Sequence, residues 1–407
     1  MLFKDACNLV FARSSFPGVG EKGLRVLLAK LGSPHAQFKI VHVAGTNGKG
    51  SVCTLLAGAL SSSGKKTGLF VSPHLISPAE RICIDGKFIA KRAFSRLVQE
   101  VCAAETTPLN FFEFLTVVAF LYFARERVAY AVLETGLGGR KDPTNVCSPV
   151  VSVITSIGLD HTQLLGNTVS QIAKEKAGII KQNVPVFCGD MVPQALRVIE
   201  KESRAKNAPL TVVKAGNPFT LKRIDFSKKQ LLLTGPRTTW PLSLLGEKQV
   251  QNACLVFHVA QCLGVPQKFI QKAFKKTVVP GRFEVIKKGK TTFILDGAHN
   301  PQAIENLIAF YQKTPFYKKS TLLCGFMKDK NFNEMLTRLA PHFARIILTV
   351  APSPRAAQKT DFKKFLRSSH ITFEKNYQTA LALAQKEPVV LCTGSFYLVG
   401  ALRKQLI

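Results

Sequence analysis

Apolar residues along the chain fall into two alternating patterns. Short runs rich in Ile, Val and Leu, the first built on Ile40, Val41 and Val43, end in glycine-rich or polar turns, and stretches with apolar residues at helical spacing lie between them. The alternation predicts an α/β fold with parallel strands. Strands are expected near residues 39–44, 66–71, 81–84, 129–133, 150–154 and 184–188. Helices are expected at the N-terminus, then at 25–32 after a loop SSFPGVGEKG, and at 51–60, 90–104, 111–126 and 168–180. In the last of these Val169, Ile172, Ala173, Ala177 and Ile180 share a face. Residues 208–240 change texture to short β-like runs separated by turns, which predicts a small antiparallel sheet appended to the first domain. A long helix at 247–263 carries Gln249 and Asn252 on one face. Val279-Pro280-Gly281-Arg282 reads as a hinge, after which the α/β rhythm restarts with strands near 292–295, 321–324, 345–350 and 388–392 and a final helix after Gly394-Ser395. Two domains, 1–280 and 281–407, follow, with a nucleotide cleft expected between them.

The most informative stretch is KIVHVAGTNGKGS at 39–51. A buried strand runs into a turn holding Gly45, Gly48 and Gly50, and an Ala/Leu-rich helix follows at once. Glycines beside the open N–H groups of a helix N-terminus let a phosphate reach the backbone. Lys49 is placed to reach terminal phosphates of a nucleotide, and the Ser51 hydroxyl to sit on Mg²⁺. The loop before the lysine is shorter than in the usual P-loop, and one glycine separates Lys49 from Ser51. A turn that joins strand to helix without any ligand is the plain alternative; the strand, turn and helix order weighs against it.

Other strand ends bring chemistry to the same sheet edge if the strands are parallel. Ser72 follows the second strand, Glu134 closes the strand at 129–133 and precedes TGLGGR, and Asp160-His161 follows the strand at 150–154. With Ser51, the hydroxyl of Ser72, the carboxylate of Glu134 and the imidazole of His161 can ligate one or two Mg²⁺ ions. Histidine is an unusual ligand for that ion. Lys176, taken by itself, reads as an exposed helix cation.

Composition narrows the partners. In 407 residues, Lys+Arg 56 against Asp+Glu 25 gives a net charge of +31, scattered as pairs such as Lys65-Lys66 and Lys287-Lys288 with no long basic block. That distribution favours small anionic ligands over nucleic acid. Ten cysteines occur singly, without metal-ligand spacing, and read as reduced cytosolic thiols that fill the core. The N-terminus lacks the pattern of a secretory signal, and the apolar run 114–124 is far short of the roughly 20 residues that span a membrane. A cytoplasmic, monomeric protein without membrane or nucleic-acid partners is expected.

A set of longer motifs resembles the folylpolyglutamate synthase and dihydrofolate synthase family of Mur-type ATP-dependent amide ligases. AGTNGKGS at 44–51, SPHL at 72–75, FFEFLTVVAF at 111–120, LETGLGGRKDPTN at 133–145, TSIGLDH at 155–161 and IAKEKAGIIK at 172–181 occur in that order. PGRFE at 280–284, LDGAHNP at 295–301 and TGSFYLVG at 393–400 complete the set. The resemblance implies an N-terminal P-loop ATPase-like domain carrying a small antiparallel sheet and a C-terminal Rossmann-like glutamate-ligase domain. It also implies a reaction in which a substrate carboxylate attacks the γ-phosphate of ATP and glutamate then displaces phosphate from the acyl phosphate. Such chemistry needs cations and oriented donors, which accounts for the lack of a Ser/His/Asp triad.

Carried over by position, Gly48, Lys49, Gly50 and Ser51 would hold the phosphates, and Ser51, Ser72, Glu134 and His161 would bind Mg²⁺. Asn252 would meet adenine, Arg282 and Asp296 would contact ATP, and His299 would steady the transferring phosphoryl group. Lys176 matches a lysine that is carbamylated in the family, a change that turns a cation into an anionic oxygen ligand. Gly18, Val19, Asn110, Phe111, Phe112 and Lys141 fall on the pterin side, and Ser395, Lys328 and Lys330 on the glutamate side. Val71, Asn110 and Pro143 depart from common family residues, which leaves the choice between dihydropteroate and reduced folates open. A peptidoglycan-precursor ligase is a second reading, opposed by the short arm before Lys39. A nucleic-acid-stimulated ATPase, suggested by the +31 charge, is a third.

Overall fold

The computed structural model describes every residue from Met1 to Ile407. The first sheet has eight strands: β1 (Lys39–Ala44), β2 (Thr67–Phe70), β3 (Ile82–Ile84), β4 (Lys87–Phe88), β5 (Tyr130–Glu134), β6 (Val151–Ile154), β7 (Val186–Gly189) and β8 (Leu210–Val213). Their order is β4-β3-β2-β5-β1-β6-β7-β8. β1 is parallel to both β5 and β6, and only the β2-β3 and β3-β4 pairs are antiparallel. The unbroken burial of β1 from Ile40 onward is that of a strand covered on both faces. Because β2 lies on one side of β1 and β6 to β8 on the other, the C-terminal end of β1 sits where an open parallel sheet parts and admits ligand.

The helix Phe111–Arg125 is apolar around nearly its whole circumference, and it is buried accordingly. Phe114, Val117, Val118 and Phe120 join Ala6, Val10, Phe94 and Leu97 in the main core on that side of the sheet. On the other wing Ile172, Ala173 and Ala177 pack with Ile154, Ile199 and Cys188.

Three expectations need correction. Residues 210–213 do not belong to the antiparallel sheet; they form β8, parallel to β7, because a short edge strand carries no periodicity that reveals its direction. The antiparallel sheet is formed by β9 (Thr220–Asp225), β10 (Gln230–Gly235) and β11 (Thr238–Leu242). The second helix begins at Gly20, inside the expected loop, and the helix expected to reach residue 180 stops at Ala177. Gly178 follows, and a Cβ there would come within 2.4 Å of the Arg140 backbone.

The second sheet comprises β12 (Glu284–Lys288), β13 (Thr291–Leu295), β14 (Thr321–Cys324), β15 (Ile346–Thr349), β16 (Ile371–Glu374) and β17 (Val389–Thr393), ordered β12-β13-β17-β14-β15-β16. All pairs are parallel except β12 with β13. β4 of the first sheet and β12 and β16 of the second, all at sheet edges, are absent from the sequence expectation. The chain divides into two compact units, 1–223 with 232–242 and 250–277, and 278–407 with 224–231 and 243–249. The sequence reading assigned those two short segments to the first domain. Seven of the ten cysteines are buried and all are unpaired. No helix is long and apolar enough to cross a membrane.

Candidate active site

β1 delivers the turn Gly45–Gly48 to the N-terminus of the 14-residue helix Lys49–Ser62. Both outer glycines are required. At Gly45 a Cβ would lie 1.9 Å from Thr155 Oγ1, and at Gly48, with φ +87°, it would lie 2.7 Å from Asn252 Oδ1. The segment after β6 braces the turn. Thr46 N donates to Ser156 O (2.7 Å), Gly158 N to Thr46 Oγ1 (3.0 Å), and Thr155 Oγ1 to Asn47 O (2.7 Å). A fixed turn at a helix N-terminus is a cradle for an anion, and Asn252, the expected adenine residue, stands against it.

Charged groups converge beside this turn. Lys49 Nζ donates to Gly45 O (3.1 Å) and Thr46 O (3.4 Å) and lies 4.0 Å from Glu134 Oε1. Glu134, buried at the end of β5, accepts the Ser72 N–H at 2.9 Å on Oε2. A Cβ on Gly50 would lie 3.4 Å from the same oxygen, which puts the carboxylate beside the helix start. Ser51 is buried one residue further on. Ser72 and Glu134 are thus joined at the sheet edge, with Ser51 in the first turn of the helix that starts beside Glu134. His161 has φ +50° and opens the one-turn helix Thr162–Leu165 beyond Gly158, with Nε2 at 3.9 Å from Asp160 Oδ1.

Lys176 overturns its bare-sequence reading as an exposed cation. It is buried, and Nζ donates to Gly45 O at 2.7 Å, the carbonyl that Lys49 also uses. Burial first, and the neighbouring charge of Lys49 second, lower its amine from 10.5 to about 7, against the pull of Asp160 and Asp142. Below about pH 7 the amine is protonated in the folded and the unfolded chain, and the fold carries the cost of a buried charge. Between about 7 and 10.5 only the unfolded chain holds the proton, so stability rises with pH. In CO₂-free buffer, Lys176→Met is expected to raise the melting temperature by about 2–4 °C near pH 6 and by progressively less towards pH 9, as read by thermal denaturation.

Among the residues expected to face the pterin, one that sequence reasoning misses organises the others. Glu113, buried in the first turn of the helix Phe111–Arg125, accepts N–H bonds from Val19 (3.1 Å), Gly20 (2.9 Å) and Asn110 (3.0 Å). Asn110 Oδ1 in return accepts from Phe112 N and Glu113 N, a reciprocal helix cap. The N-x-x-E spacing at 110–113 was the available signal. Gly18 fits only as glycine, since a Cβ would fall 2.4 Å from Asn110 Nδ2 at φ +84°. Gly18, Val19 and Asn110 are therefore brought together through backbone and cap. Glu113→Ala is expected to cost about 1–2 kcal/mol in urea denaturation, because it removes the shared acceptor of three partly buried or exposed backbone donors.

The two phenylalanines have different neighbours. Phe112 lies 5.5 Å from Phe70 and covers Gly136, whereas Phe111 stacks on Phe11 at 5.9 Å beneath the Arg81 guanidinium. Lys141 is exposed. The adjacent Asp142 is buried and accepts from Leu137 N, Thr144 N and Thr144 Oγ1; burial raises its carboxyl.

In the second unit, Asp296 is held after β13 by Phe283 N and Ala298 N, each at 2.9 Å. Burial raises its carboxyl and the Arg282 charge opposes the rise. Arg282 lies over the Phe396 ring at 4.5 Å, and His299 Nδ1 donates to Gly297 O at 2.9 Å, which fixes its tautomer. Arg282, Asp296 and His299 therefore share one loop cluster. Ser395 is buried and its Oγ caps the last helix through Leu398 N, while Lys328 lies 3.8 Å from Asp361.

Residues 43–260 match the Mur ligase middle domain and residues 281–396 the Mur ligase, glutamate ligase domain. The dihydrofolate synthase/folylpolyglutamate synthase of Bacillus subtilis is 32% identical, with 99% of each chain covered. The folylpolyglutamate synthase of Lacticaseibacillus casei is 34% identical, covering 97% of this chain and 96% of the relative. Among solved structures, Mycobacterium tuberculosis folylpolyglutamate synthase complexed with ADP superposes with a TM-score of 0.90 at 28% identity, over 99% of this chain and 98% of that one. A folylpolyglutamate synthase solved as an AMPPCP–folate complex gives 0.84 at 30% identity over 100% of both.

Proposed function

The chain belongs to the folylpolyglutamate synthase and dihydrofolate synthase family of Mur-type ATP-dependent amide ligases, and on that premise we propose that it adds L-glutamate to dihydropteroate and to tetrahydrofolate. The observation that carries this is the convergence of Lys49, Glu134 and Lys176 on the turn after β1. ATP is the phosphoryl donor. Gly48, Lys49, Gly50 and Ser51 receive its phosphates, and Asn252, packed on Gly48, meets the adenine side.

The donor set suits Mg²⁺. The hydroxyls of Ser51 and Ser72 and the buried carboxylate of Glu134 are hard oxygen donors, and His161 adds a nitrogen. When bound there, the ion neutralises charge on the phosphoryl oxygens. Lys176 supplies a further anionic oxygen once carbamylated. Its buried amine, lowered to about 7, is neutral in the range where CO₂ adds to amines.

The substrate carboxylate attacks the γ-phosphorus, ADP leaves, and the glutamate amine attacks the acyl carbon and expels phosphate. Lys49 stabilises negative charge on the transferring group. Arg282 and Asp296 serve ATP, and His299, with its tautomer fixed by Gly297 O, steadies the phosphoryl group. Gly18, Val19, Asn110, Phe111, Phe112 and Lys141 serve the pterin, and Ser395, Lys328 and Lys330 the glutamate. The protein is proposed to act in the cytoplasm as a monomer on small molecules, a reading that rests on the family's substrates and the single, widely spaced cysteines of the chain. ADP release from purified protein should require L-glutamate together with dihydropteroate or tetrahydrofolate, tested side by side. No release with either acceptor would remove the proposal, and release with one alone would confine it to that acceptor.

A further inference from the structure

The end of the helix that bears Lys176 is clamped by the turn after β5. Arg140 N donates to Glu175 O at 2.8 Å, and Asn145 Nδ2 donates both to Gly178 O (3.2 Å) and to Arg140 O (3.0 Å). Gly139 fits against the two carbonyls that flank and include the lysine; a Cβ there would lie 2.9 Å from both Glu175 O and Lys176 O. The turn itself is tied to the sheet from beneath. Asp142 accepts Thr144 Oγ1 at 2.6 Å, so Thr144 must accept from His42 Nε2, 2.8 Å away on β1. The strand that ends in the phosphate turn and the turn that grips the lysine helix are therefore one bonded assembly.

We infer that Gly139 and Asn145 are positioning residues that hold Lys176 Nζ at the Gly45 carbonyl, ready to take up CO₂. This rests on the carbamate reading of Lys176. In that step the nitrogen lone pair of the neutral amine forms an N–C bond to CO₂, a C=O electron pair moves onto oxygen, and the nitrogen, made cationic by the new bond, releases one of its two protons to solvent. A terminal amine on four methylenes gains from having its backbone fixed, since displacement by about 1 Å is enough to cost of the order of 10²-fold in a reacting pair. The Arg140 side chain reaches Lys174 O (3.3 Å) from an exposed position, and Arg140→Ala keeps the backbone N–H, so it serves as a control.

The test uses full-length, metal- and nucleotide-free protein with ¹³C-bicarbonate at neutral pH, read as the carbamate carbon signal by NMR. Bicarbonate dependence of kcat is read in parallel, and thermal melts verify folding. G139A and N145A should each need about tenfold more bicarbonate for half-maximal signal and kcat, with R140A matching the parent. Either variant alone suffices should the other fail to fold. A parent signal that G139A or N145A, folded, reproduces at the same bicarbonate level overturns the positioning role while leaving the carbamate intact. No signal and no bicarbonate dependence in the parent overturns both.

Discussion

Lys49→Ala is expected to lower kcat for glutamate addition by about 10³-fold, with the melting temperature within a few degrees of the parent. The lysine stands at the first position of the helix Lys49–Ser62, where the helix dipole and open N–H groups already favour an anion. Its ammonium, held by two carbonyls of the turn, is the side-chain positive charge of that cradle. A single preorganised donor aimed at developing charge is worth about 10²–10³ in rate, and a full cation in a water-poor site stands at or above the top of that range. The fold has little to lose. Lys49 bonds only to carbonyls of its own turn and lies 4.0 Å from Glu134, and its removal relieves a repulsion felt by Lys176. Steady-state kinetics with a parallel thermal melt reads both halves of the expectation.

Substitution at Glu134 should separate charge from scaffold. Glu134→Gln keeps an oxygen for the Ser72 N–H but removes the negative charge beside Lys49 and Gly50, so the protein should melt like the parent and lose about 10³-fold in kcat. Glu134→Ala loses the acceptor as well, which takes the partner from the half-buried Ser72 N–H and should lower stability by about 1 kcal/mol besides. In both variants the Mg²⁺ concentration for half-maximal turnover is expected to rise by about tenfold or more, as read by metal titration of ADP release.

Much of this site is visible in the chain because its parts follow strong local signals. β1 is a run of branched apolar residues that stops at a glycine turn, and parallel pairing of β1, β5 and β6 then places Glu134 and the segment 155–161 beside that turn. Lys176 shows the limit of local pattern. Its neighbours have helical periodicity, but the burial of the lysine comes from contacts distant in sequence, among them the Gly45 carbonyl that takes its Nζ and the close approach of Gly139 to the helix end. Glu113 reads as one more helix-start acid, and its hold on Val19 and Gly20, more than 90 positions away, is a tertiary property. The strands missed or misassigned, β4, β8, β12 and β16, are all sheet edges, where half the neighbours that impose periodicity are absent.

Activation of the acceptor's carboxylate by phosphoryl transfer is the claim on which the roles of Lys49, Glu134 and Lys176 depend. It is tested most directly with dihydropteroate or tetrahydrofolate carrying ¹⁸O in the carboxylate, by mass analysis of the phosphate released during glutamate addition. An acyl phosphate passes one carboxylate oxygen to each phosphate, so label should appear there in step with product. Phosphate free of ¹⁸O, with normal product formation, would contradict the account.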